Sequence, residues 1–91
     1  MDVTYDPDKD AANRQKHGLS LRFGADVLAD PNVLDFPDIR HDYGEDRWIA
    51  YGQTDGRIYV CVYVERDRDI RIISVRKAND REEKRYHAEP R

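Results

Sequence analysis

The sequence predicts an α+β domain: two N-terminal helices and a C-terminal helix laid on an antiparallel sheet of three to four strands. Three observations carry this. Helix punctuation sits at the two ends of the chain, at Asp6-Pro7 and Gly18 and again at Asn79-Asp80-Arg81-Glu82. Apolar alternation fills the middle, most clearly from Ile58 to Val64. The turns between strand candidates are short, so the strands form a meander and not a parallel stack with long crossovers.

The first helix begins at Asp6-Pro7, an acidic cap followed by a proline whose missing N–H would have had no partner anyway. It runs through Lys9, Ala12 and Asn13 to about Lys16 or His17, where Gly18 supplies a left-handed stop. Ser20 can cap a second helix, with Phe23, Val27 and Leu28 on one face, ended by Asp30-Pro31. Val33 to Phe36 reads as a brief strand, and Pro37 to Gly44 as a polar loop. Arg47 to Tyr51 is the next strand, and Thr54-Asp55-Gly56 is a hairpin turn because Asp-Gly accepts positive φ. In the strand from Ile58 to Val64, Ile58, Val60, Val62 and Val64 share one face, with Tyr59, Cys61 and Tyr63 on the other. After the charged turn Asp67-Arg68-Asp69, alternation in the last strand sends Ile70, Ile72 and Ser74 one way and Arg71, Ile73 and Val75 the other. Asn79 and Glu82 form a capping box for the closing helix, which carries a stripe of Arg81, Lys84 and Arg85 and has Tyr86 near its end.

Ninety-one residues make one domain, 1–91, with a modest core. No apolar run reaches the roughly 18 residues of a membrane span, and no signal peptide is evident at the start. The single cysteine, Cys61, excludes an internal disulfide framework and fits a reducing compartment, so a cytoplasmic protein is expected. The net charge of −3 is unevenly spread. Residues 1–46 hold five Lys and Arg against eleven acids (−6), and residues 47–91 hold eleven against eight (+3). Charge alone separates a cationic binding surface from an ordinary solvated one no further than this.

Several features, read in order, resemble the BrnT family. They are Asp6-Pro7-x-Lys9, Asn13-x-x-Lys16-His17-Gly18, Asp30-Pro31, His41-x-x-x-Glu45-x-Arg47, Gly52 and Gly56-Arg57. Ile70-Arg71-Ile72-Ile73-Ser74-x-Arg76-x-Ala78 and Arg85-Tyr86 complete the set, which spans nearly the whole chain. Tyr5 stands where the family often has Trp, and Val75 where it often has Ala; both are packing changes. The resemblance implies a small ribonuclease toxin of a type II toxin–antitoxin module with a RelE-like fold. It also implies a BrnA-like antitoxin that binds operator DNA, so that the toxin meets DNA only through its partner.

Metal-free RNA cleavage uses the neighbouring 2′-hydroxyl as nucleophile. The protein must orient the strand, move two protons and stabilise charge on the phosphorane. Arginine suits the last task, because its planar fork stays charged and pairs with phosphate oxygens. Arg47, Arg57, Arg66, Arg71 and Arg76 all fall in or beside strand candidates, which would project several from one rigid surface. Arg66 and Arg76, at strand ends, are the catalytic candidates, with Arg47, Arg57 and Arg71 assigned to RNA binding. His41, an imidazole that can exchange protons near neutral pH, and Glu45 four residues on are the candidates for proton transfer. The alternative for this pair is a polar loop in which Glu45 simply pairs with Arg47. Lys16 and His17 are RNA-binding candidates, although cations in a last helical turn also serve the helix dipole.

Tyr51, Tyr59 and Tyr63 form either a base-stacking patch, the covered side of the sheet or an interface with another chain. Of His17, His41, Cys61 and His87 none shows paired ligand spacing, so neither a metal site nor a cofactor is expected. A competing function is a binding module with weak or lost cleavage, acting as co-repressor with its antitoxin.

Overall fold

A computed structural model describes residues 2–90. Helix α1 (Pro7–His17) starts as its sequence dictates: the Asp6 carboxylate accepts the Asp8 N–H at 2.9 Å, and Pro7 follows as the first helical residue. Gly18, at φ 72°, stops it and donates its N–H to the Arg14 carbonyl at 2.8 Å. The second predicted helix is realised only in part. Ser20 does cap, accepting the Arg22 N–H, but a 3-10 turn (Leu21–Phe23) follows, and α2 (Gly24–Leu28) has only five residues. Gly24 explains where the segment sits: a Cβ there would lie 3.0 Å from Cys61 Sγ and 3.1 Å from Ile72, so the backbone itself rests on the sheet.

The sheet corrects the expectation of three to four antiparallel strands. Five strands, β1 (Val3–Thr4), β2 (Leu34–Pro37), β3 (Trp48–Thr54), β4 (Arg57–Arg66) and β5 (Asp69–Lys77), run in the order β1-β5-β4-β3-β2. The last four form the expected antiparallel meander, and β1 adds a parallel edge by pairing Val3 with Ile70 and Thr4 with Arg71. Two residues carry no alternation, which is why β1 left no signal in the sequence. Asp55 (φ 51°) and Gly56 (φ 78°) make the two-residue β3–β4 turn, matching its expected geometry. The β4–β5 turn is equally short, Asp67-Arg68, with Asp67 at φ 54°. Helix α3 (Asp80–Ala88) opens on the complete Asn79–Glu82 capping box.

A bulge changes which residues of β5 share a face. Tyr63 pairs with Ile72 but Val62 pairs with Ser74, so β5 fits Ile73 in as an extra residue. The strict alternation expected across this strand therefore fails: Ile72 and Val75 lie together in one core, and Ser74 turns to the other side beside Val60 and Val62. The core has two layers. Leu21, Val27, Ala50, Cys61, Tyr63, Ile72 and Val75 pack between the sheet and the segment from α1 to α2. Ile49, Tyr51, Ile58, Val60 and Val62 pack on the opposite face, where Tyr86 of α3 joins them. Tyr59 and Tyr63 thus belong to the helix-packed layer and Tyr51 to the other, so the three do not form one stacking patch. Cys61 is fully buried, and burial pushes its thiol pKa up to about 12.

Among the described residues no helix is long and apolar enough to cross a membrane.

Candidate active site

The face of the sheet that carries α3 also carries most of the arginines singled out in the strand candidates. Register puts Arg76 beside Val60 and Arg71 beside Val64. Alternation along β4 and β3 brings Arg66 and Arg47 to the same side. Arg57, at the β3–β4 turn, alternates instead with Tyr59 on the helix-packed side and is exposed. Of the five strand arginines singled out from the sequence, four therefore share a surface and one does not.

Two clusters form on that surface, separated by the segment 37–40. The first is a groove of about 460 Å³ floored by Ile49, Val60 and Val62 and edged by Arg40, Ser74, Arg76, Glu82 and Arg85. Arg76 donates from both terminal nitrogens to the Glu82 carboxylate, at 2.8 and 2.7 Å, and from one of them to the Lys77 carbonyl at 3.2 Å. Hydrogen bonds from Arg76 hold Glu82 below its ordinary pKa, and Glu82 in turn raises that of Arg76. Arg40 grips Asp38 through Nε and a terminal nitrogen, both at 2.8 Å, and the Asp38 pKa falls to about 2 chiefly through those bonds. The Arg85 guanidinium sits over Phe36, 4.1 Å from the ring centre, and 5.9 Å from that of Tyr51. Burial raises the Tyr51 pKa, so its hydroxyl stays protonated. Three guanidinium groups against the carboxylates of Asp38 and Glu82 leave this groove with a formal charge of +1.

The second cluster is a neighbouring recess lined by His41, Tyr43, Glu45 and Arg47, among others. Glu45 accepts from Arg66 at 2.8 Å and lies 3.6 Å from Arg47 Nε, and the Arg66 hydrogen bond leads in lowering its pKa. Arg47 stacks on Tyr43 at 4.0 Å, and His41 meets the same ring edge-on at 5.7 Å. The pairing of Glu45 with Arg47, the simpler of the two sequence readings, is thus present, and Arg66 joins it. Arg71 pairs with Asp6 at 4.0 Å. Lys16 and His17 lie apart from both clusters, in a recess between α1 and β5 that reaches Ser74.

Arg40, Ser74, Glu82 and Arg85 were not singled out as site residues. Asp38-x-Arg40 carried a local signal, since a carboxylate and a guanidinium two residues apart in a loop can close on each other. Arg85 had only its place in the cationic stripe, and its aromatic partners come from distant strands.

The family model described as "Ribonuclease toxin, BrnT, of type II toxin-antitoxin system" matches residues 5–82. The chain belongs to that family. Membership makes it a ribonuclease toxin of the type II class and implies an antitoxin partner. The match covers β2 to β5, the second arginine cluster, the first cluster apart from Arg85, and the start of α3 through Glu82. No curated protein matches the chain. Among the described residues no group of three or more His, Cys, Asp or Glu side chains is arranged to hold a metal ion.

Proposed function

We propose that this BrnT-family chain cuts RNA without a metal, on the sheet face that carries Arg76. The 2′-oxygen bonds to the adjacent phosphorus as the bond from phosphorus to the 5′-oxygen breaks. The 2′-hydroxyl proton passes to a base and the departing 5′-oxygen receives one, leaving a 2′,3′-cyclic phosphate and a 5′-hydroxyl. The observation that carries this reading is the convergence of Arg40, Arg76 and Arg85 on one groove over a stiff strand floor. Arg76 faces the phosphorane oxygens, where a fixed fork in a partly dry site stabilises developing charge better than water does. Glu82 holds that fork in one orientation. Glu45, kept ionised by Arg66, and His41 are the candidates for the two proton transfers, from the recess that adjoins the Arg76 groove across the segment 37–39. Arg47, Arg71, Lys16 and His17 serve RNA binding, whereas Arg57, on the helix-packed side of the sheet, loses the RNA-binding role expected of it. Cleaved messages halt translation and growth, and a BrnA-like, DNA-binding antitoxin neutralises the toxin in the cytoplasm.

One observation favours the second reading, a co-repressor module with weak cleavage: Arg40, Arg66 and Arg76 are already paired with carboxylates of their own chain. Incubating the purified protein with a defined RNA in excess chelator separates the two. Fragments ending in cyclic phosphate are expected, whereas cleavage that returns only with added Mg²⁺ overturns the metal-free mechanism. Arg76→Ala is expected to lower kcat about 100-fold or more, the usual loss when one charge-stabilising donor is removed, and to relieve growth arrest. Unimpaired growth with abundant, folded wild-type protein would favour the co-repressor.

A further inference from the structure

We propose that the recess between α1 and β5 is a second phosphate site, which grips the RNA backbone running on from the scissile linkage. This rests on the ribonuclease reading above. The recess, about 210 Å³, is lined on the α1 side by Lys9, Lys16 and His17 and on the β5 side by Ile73 and Ser74. Ser74 also lines the groove that holds Arg76, so the two depressions adjoin at that residue.

Its ionic state differs from that of the paired arginines, and only Arg85 of the neighbouring groove resembles it. Arg40, Arg47, Arg66, Arg71 and Arg76 each have a carboxylate within 4 Å, but among the described residues Lys9 and Lys16 have no ion pair. No carboxylate lines the recess. The nearby acid, Asp10, is taken by Ser20, Leu21 and Arg14. An incoming phosphate there displaces only water and counterions, whereas at Arg76 it must compete with Glu82. Lys9 and Lys16 are seven residues apart, roughly 10.5 Å along the helix, which suits a length of backbone better than a single oxygen. The carbonyl end of a helix repels anions, but here Gly18 closes the Arg14 carbonyl and Lys16 stands in the last turn. Desolvation, with Lys16 and Arg76 nearby, keeps the His17 pKa below its ordinary value. At neutral pH the ring is therefore an uncharged hydrogen-bonding group, and the two lysines supply the charge. Adjacency to the Arg76 groove at Ser74 favours RNA over an acidic peptide as the occupant.

The test compares wild type, Lys9→Ala, Lys16→Ala and Lys16→Arg in two assays. One is cleavage of a defined oligoribonucleotide in chelator. The other is direct binding of the same oligomer carrying a 2′-deoxy sugar at the scissile position, titrated across salt. Each alanine variant is expected to raise KM roughly three- to tenfold with kcat unchanged, and to flatten the slope of log affinity against log salt by about 0.7, the single-strand value for one phosphate contact. Lys16→Arg should keep most of both. Unchanged KM and slope, with wild type cleaving and Arg76→Ala inactive, overturns the second site and leaves the ribonuclease reading standing. If wild type does not cleave, the ribonuclease reading fails, and the binding slope alone then decides whether the recess holds a phosphate. Lysine variants that weaken antitoxin capture while RNA binding is untouched would also overturn the proposal.

Discussion

Asn13 is a polar side chain buried for a structural purpose. Its amide nitrogen donates to the Val75 carbonyl at 2.9 Å and to the Leu19 carbonyl at 2.8 Å, and its oxygen accepts the Val75 N–H at 3.2 Å. One side chain thus pairs with β5 as a neighbouring strand would. Asn13→Ala leaves two buried groups of Val75 unpaired and should cost about 1–3 kcal/mol, read as a lower midpoint in urea. Asp38 makes a pH prediction. Its folded pKa, about 2, lies below the ordinary 3.8, so its contribution to stability is present above the ordinary value and is lost as pH falls through the folded one. Melting temperature followed from pH 6 to pH 2 should therefore drop more steeply in wild type than in Asp38→Asn; parallel curves would sink this. At this scale the place of Arg76 near the end of β5 could be read from sequence because a strand end is a local property. Arg85 could not, because its meaning depends on Phe36 and Tyr51 lying beneath it.

At the scale of elements, the most legible parts were those with local chemical punctuation. The Asp6-Pro7 start, the Gly18 stop, the Asp55-Gly56 turn and the Asn79–Glu82 box all formed where their residues dictate. The bulge at Ile73 was hidden, because an inserted residue leaves the composition of a strand unchanged and alters only its partners. It matters to the site, since it turns Ser74 and Arg76 toward the groove while Val75 stays in the core. The second helix shrank because α2 is held close to the sheet. At Gly52 on β3 a Cβ would come within 2.1 Å of the Val27 carbonyl oxygen, and 2.8 Å of a Val27 methyl. Backbone cannot yield as a flexible side chain does. Gly52→Ala should destabilise by at least about 2–3 kcal/mol, at the upper end for overpacking, and a variant melting within a degree or two of wild type would contradict so close a contact.

Across the whole molecule, the helices on opposite faces of the sheet are tied at one end. The Tyr86 hydroxyl of α3 bonds to Asp30, just beyond α2, and the other Asp30 contacts include the Gln53 N–H at 2.7 Å and the Asn32 N–H at 2.9 Å. Tyr86→Phe keeps the ring in the core but removes that bond, and should cost about 1–2 kcal/mol, somewhat above a neutral hydrogen bond because the acceptor is a carboxylate. Hydrogen exchange should quicken first in α3, which carries Glu82 and Arg85; uniform quickening would mean that the helix is not separately anchored. The β5 strand that holds Arg76 is flanked on one side by its neighbour in the meander. On the other side it is flanked by Asp2, Val3, Thr4 and the Asn13 amide, all more than sixty residues upstream. A ribosome must therefore make the chain through β5 before the platform for cleavage can close, so the first strand of a growing toxin waits for a partner more than sixty residues behind it.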